Sequence, residues 1–115
     1  MSLEIALFNK LKDVNLVSNR VYAVKAPQGV DKPYIVYSKV SNQREYSHDG
    51  FADLSRARMQ VSCYADSYGS AKQVAEEVIS TLEGWENVSF LVNEQDLYEE
   101  DTGIYHVPVD FFIWY

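Results

Sequence analysis

The sequence predicts an α+β fold: two helices packed on one face of a mostly antiparallel sheet of about five strands, in the order α-β-β-β-α-β-β. Three observations carry this expectation. Residues 56–64 alternate, with Ala57, Met59, Val61 and Cys63 on one side and Arg56, Arg58, Gln60 and Ser62 on the other, the mark of a half-buried strand. Residues 71–82 then switch to a helical period, with Ala71, Val74, Ala75, Val78, Ile79 and Leu82 in one stripe. The chain closes on a second alternating run, residues 104–115, with Tyr105, Val107, Val109, Phe111, Ile113 and Tyr115 on one face. Two helices over one sheet make a two-layer architecture, and 115 residues suit a single domain spanning 1–115.

The first element is a short amphipathic helix over residues 3–13. Leu3, Leu7, Leu11 and Val14 recur at helical spacing, and Ser2 is placed to cap it. Arg20–Val24 is a short β-rich run that ends at the turn signal Ala-Pro-Gln-Gly. Pro33 opens the next strand, Tyr34–Val40, where its missing N–H costs least. The polar stretch from Ser41 to Leu54 reads as a long loop with a tight turn at Asp49-Gly50. After the 56–64 strand, Asp66, Ser67 or Ser70 can cap the second helix, and Gly84 can end it. Residues 88–97 are a less regular strand, and Glu99, Glu100, Asp101 and Gly103 form an acidic turn. Pro108 argues that the last strand lies at an edge or carries a bulge.

Two helices cover one sheet face. The other face carries Ile104, Phe112 and Trp114 from the last strand, and a strand that is apolar on both sides asks for burial on both. The expected result is a spare apolar face that marks a partner site. Nine tyrosines agree with an aromatic interface or with a Tyr-rich sheet in a monomer.

Composition excludes several classes. The formal net charge of −7 disfavours a nucleic-acid clamp, which needs a basic stripe. One cysteine forms no internal disulfide and suits a reducing compartment. No run reaches the ~20 apolar residues of a membrane span, and no basic region followed by a long apolar stretch opens the chain.

Catalytic readings are weak. Cys63 stands before a helix start, as in a nucleophile elbow, but the alternation turns it inward among Met59 and Val61. There a cysteine acts as a small hydrophobe. His48 lies in the polar loop and His106 on the outer face of the last strand, and nothing joins them to each other or to Cys63. They do not compose a zinc site. The acidic turn lacks EF-hand spacing, and Gly69-Ser70-Ala71-Lys72 lacks the first glycine of a phosphate loop. The expectation is no catalytic residue, no metal and no cofactor.

Order and spacing carry a family resemblance. LEIALFNKL leads to RVY, then PYIVY, a polar loop, RARMQVSCYA running into an Ala-rich helix, an acidic turn and GIYHVPVDFFIWY. This resembles the tail completion proteins of long-tailed bacteriophages and prophages, also called tail terminators or tail-to-head joining proteins. The resemblance implies a structural protein without enzymatic activity, located in the virion tail at the head–tail junction and assembled in the bacterial host cytoplasm. It implies a ring, typically a hexamer in the family, that caps the head-proximal end of the tail tube. Its partners would be itself, the major tail tube protein and the head connector protein, with DNA passing through the channel without specific binding and no membrane contact. On this reading the partner-interface candidates are Arg44, Glu45, Tyr46, His48 and Phe51 in the polar loop, and Phe112 and Trp114 in the last strand. The net negative charge suits a channel that gives phosphates no ion pairs. A bacterial adaptor or ligand-binding domain, monomeric or dimeric, is the alternative from another class; a small cysteine hydrolase is a third.

Overall fold

In the computed structural model, residues 3–44, 55–83, 85 and 89–114 are described. The chain runs α1 (Leu3–Leu11), a 3-10 turn (Asn15–Val17), β1 (Val21–Ala23), β2 (Tyr34–Arg44), β3 (Ser55–Ala65), α2 (Tyr68–Glu83), β4 (Ser89–Glu94), β5 (Leu97–Glu99) and β6 (Ile104–Trp114). The sheet order is β1-β2-β3-β6-β4, and β5 also pairs with β6. All pairs are antiparallel except β1 with β2.

The core follows the alternation. Ile35, Cys63 and Val107 lie side by side across β2, β3 and β6, as do Tyr37, Val61 and Val109. These residues are buried, together with Met59, Phe111, Ala57 and Ile113 further along the same face. α2 lays Ala71, Val74, Ala75, Val78 and Leu82 onto that face, and α1 adds Leu7 and Leu11. Glu4 of α1 accepts an ion-pair contact of 2.8 Å from Lys39 of β2, and Phe8 packs against Tyr37 with ring centroids 6.3 Å apart. Both helices therefore cover the same side, as expected.

The expected number and extent of the strands need correction. The run at 88–97 is two strands, so the sheet has six. β4 shifts register between Leu91 and Asn93; from there Glu94 opposes Val109 and Leu97 opposes His106, so the end of β4 and β5 share one register and are parted at Gln95 and Asp96. The sequence pattern did not reveal this break because it lies inside a single register. The polar stretch from Ser41 is not loop at its start: β2 continues to Arg44, past a register shift between Lys39 and Ser41. The bulge resets the pleat, which is why the alternation in the sequence faded at Val40.

Pro108 is neither at an edge nor in a bulge of its own strand. It lies inside β6, opposite Ser62 of β3, and on its other side its carbonyl accepts the Gln95 N–H at 3.2 Å. Since the N and C=O of one strand residue point the same way, its missing donor faces the β4–β5 break, where the ladder is already interrupted. The break is held by α2. Lys72 Nζ donates to Glu94 at 2.8 Å and to Asp96 at 3.1 Å, and the Tyr68 hydroxyl donates to Asp96 at 2.9 Å. The carboxylates raise the Lys72 pKa, chiefly through the Glu94 hydrogen bond, and the Tyr68 and Lys72 hydrogen bonds lower that of Asp96.

Of the three candidate caps for α2, Ser67 does the work: its Oγ accepts the Ser70 N–H at 3.2 Å. The Ser2 cap, the Asp49-Gly50 turn, the Gly84 stop and Tyr115 lie outside the described residues.

Cys63 is fully buried on the helix side, as the alternation implied, and burial pushes its thiol pKa strongly upward, with Glu94 adding to the rise. His106 is on the opposite face. We predict that a thiol-reactive dye leaves native Cys63 unlabelled at neutral pH and labels it stoichiometrically in denaturant. Rapid labelling of the native protein would contradict the packing.

Candidate interaction face

The face away from the helices carries two built features. The first is an aromatic ladder. Tyr34, Tyr64, His106 and Leu97 are cross-strand neighbours on β2, β3, β6 and β5. Tyr34 and Tyr64 stack at 4.8 Å and 11°, Tyr64 and His106 at 4.2 Å and 13°, and Tyr22 of β1 meets Tyr34 edge-on at 6.4 Å. Each such pair contributes about 0.5–1.5 kcal/mol beyond its buried area. Beside the ladder lies a pocket of about 500 Å³ lined by Val24, Lys25, Ala26, Pro27, Tyr34, Val36, Tyr64 and Glu99. Burial, and then Glu99, raise the pKa of Tyr34. Burial also leads the rise at Tyr64, so both hydroxyls stay protonated at neutral pH. Val24 holds φ +63, a costly conformation for a β-branched residue, while its N–H donates to the Tyr37 carbonyl at 2.8 Å.

The second feature is polar. Asp110 is only 4% exposed although no helix covers it. Arg58 donates to one of its carboxylate oxygens from Nε at 3.1 Å and Nη2 at 2.7 Å, and Gln60 Nε2 donates to the other at 3.1 Å. Asp110 and Gln60 are register partners, and Arg58 reaches over from its place opposite Phe112. The spare face is therefore not the continuous apolar patch expected: a charged network divides its aromatic end from Phe112. Arg58 and Gln60 had been placed on this face by the alternation. Their meeting with Asp110 depends on the β3–β6 register, which no local pattern encodes.

Of the interface candidates, Arg44, Phe112 and Trp114 come to one end of the sheet. Arg44 ends β2 opposite Ser55, and Trp114 pairs with Arg56, itself opposite Gln43. Phe112 is partly buried, two residues along β6. Glu45, Tyr46, His48 and Phe51 lie outside the described residues. The ladder and its pocket, at the opposite end, were missed as a site. The signal available was a Tyr near one end of each of β1, β2 and β3, but only the register brings those residues together.

His106 on the outer face was foreseen, though not its setting. Its Nε2 is buried with no hydrogen-bond partner among the described residues, and burial lowers its pKa from 6.5, against a smaller opposing pull from Glu99. A depressed folded-state pKa means that the unfolded chain takes up the proton first. The contribution of His106 is thus fully present above about pH 6.5 and is lost as pH falls through its folded pKa. We predict that stability measured by urea unfolding declines between pH 7 and 5, and that His106→Phe, which keeps the ring, removes most of that slope. An unchanged slope in the variant would contradict this.

Among the described residues, no cluster of His, Cys, Asp and Glu could hold a metal ion, and no helix is long and apolar enough to cross a membrane. What the face offers is contact area: stacked rings, a pocket and an ordered polar network.

The family described as "Tail completion protein gp17" matches residues 5–115. The chain belongs to this family. These are structural proteins of phage tails, and tail completion proteins are the family whose order of elements the sequence resembled. Among solved structures, 26 chains match. One, from the "Virion of native gene transfer agent (GTA) particle", superposes with a TM-score of 0.72 at 16% identity, covering 98% of this chain and 93% of that one. At such identity the likeness speaks for the fold. No curated protein matches the chain.

Proposed function

We propose that this tail completion protein caps the head-proximal end of the tail tube and joins it to the head connector, as a ring of copies around a DNA channel, with six the expected number. The observation that carries the reading is the family match over residues 5–115; the likeness over nearly the whole chain to a protein of a phage-like virion supports it. The open sheet face supports it too, since stacked tyrosines and a preformed polar network suit protein contact better than chemistry. Two of the groups a catalytic reading would need, Cys63 and His106, lie on opposite faces of the sheet. The partners are further copies, the major tail tube protein and the head connector protein. DNA passes a lumen whose acidic character offers phosphates no ion pairs. The protein forms one domain, and Arg44, Phe112 and Trp114, with the adjoining residues 45–54, form its contact end.

Deleting the gene in the encoding phage or prophage tests this. Filled heads and separate tails, restored to joined particles by the wild-type chain in trans, are expected. Joined particles of normal yield without the protein would overturn the proposal.

A further inference from the structure

We propose that the pocket beside the tyrosine ladder receives residues 45–54 of a second copy of this chain. This rests on the reading above, in which copies stand side by side.

Reach excludes the chain's own segment. Arg44 and Ser55, at its two ends, are paired with each other. Tyr34, which lines the pocket, is ten residues back along β2, a distance of roughly 33 Å at ~3.3 Å per residue. Ten residues that must go out and return reach at most about 20 Å. A segment docked in this pocket therefore comes from another molecule.

Chemistry selects the segment. It reads EYSHDGFADL, with acids Glu45, Asp49 and Asp53, no Lys or Arg, and the aromatics Tyr46 and Phe51. Lys25 stands on the pocket wall, and the structure gives it no ion pair among the described residues. Arg20 and Lys32 flank the same margin in sequence, each already engaged: Arg20 with the Pro33 carbonyl and Lys32 with Asp66. Lys25 is thus the cation left to meet an incoming carboxylate. Val24, 75% exposed, with Pro27, Val36 and the edges of Tyr34 and Tyr64, offers an apolar lining for Tyr46 or Phe51. Glu99, on the pocket rim, repels the acids and confines them to the Lys25 side. The contact is heterologous, from one end of a copy to the other end of its neighbour, the kind that closes into rings.

The test is a titration of a synthetic peptide, Arg44–Leu54, into the isotopically labelled full-length chain, followed by NMR. The expected result is saturable shifts at Val24, Lys25, Tyr34, Val36 and Tyr64, with affinity falling as salt rises. Lys25→Glu, at an exposed position where folding is not at stake, should weaken binding at least threefold. A peptide with Tyr46→Ser and Phe51→Ser should lose at least as much. Shifts confined to α1 and α2, no shifts at millimolar peptide, or unchanged binding to Lys25→Glu would overturn the proposal. So would protection of this pocket by purified tail tubes but not by the peptide, which would make the tube protein the occupant. The titration needs no phage particle, so its failure is distinct from failure of the tail-joining role.

Discussion

Phe111→Ala will lower the unfolding free energy by about 3–5 kcal/mol. Phe111 is fully buried and is the largest of the fully buried side chains among the described residues. It lies between Met59 of β3 and Leu91 of β4 in the register, on the face that α2 covers. Truncation there leaves a cavity that sheet and helix cannot both close. Domains of this size have about 5–15 kcal/mol in all, so the variant will be partly unfolded at 37 °C or will melt at least about 10 °C lower. Phe111→Leu should cost less than half as much. Thermal unfolding by circular dichroism measures both. Equal, small losses would mean that the core is not centred where the β3–β6 register puts it.

Asp110→Ala will be the second largest, at about 2–3 kcal/mol. Breaking a fully buried ion pair costs about 3–5 kcal/mol. Here the Arg58 side chain is 34% exposed, and water can solvate it once the carboxylate is gone, so the lower figure applies. Gln60 also loses its acceptor. The cost should shrink when Arg58 is removed as well: the double variant Asp110→Ala with Arg58→Leu is expected to fall short of the summed single losses by at least about 1 kcal/mol. Strict additivity in urea unfolding would show that the three groups do not act as one network.

These two neighbours in sequence illustrate what could be read without a structure. Phe111 was legible because a strand of period two, paired with a helix of period 3.6, states which residues turn inward. The same logic placed Cys63 in the core and His106 outside. Asp110 was not legible as a network member, because its partners are 50 and 52 residues away. Pro108 misled for a related reason: proline states that a hydrogen bond is missing, not that the neighbouring strand has a gap to receive it. The open face fell between these cases. Its residues could be assigned to a side, but whether they made an apolar patch depended on which of them met. Tyr22, Tyr34 and Tyr64 of β1, β2 and β3 are unremarkable one at a time and form a ladder of ring contacts only through the register. The interface candidates drawn from Glu45 to Phe51 rest on sequence and on the docking proposed above.

The proposed closure of one end of a phage tail by this chain is a matter of position. Cryo-electron microscopy of tails purified from the encoding phage or prophage tests it most directly, with the chain carrying a small C-terminal tag. The expected result is a ring at the head-proximal end of the tube, into which the α+β fold fits with its long sheet axis bridging neighbouring copies. Density along the whole tube, at the distal tip, or nowhere on tails that still join heads would contradict it.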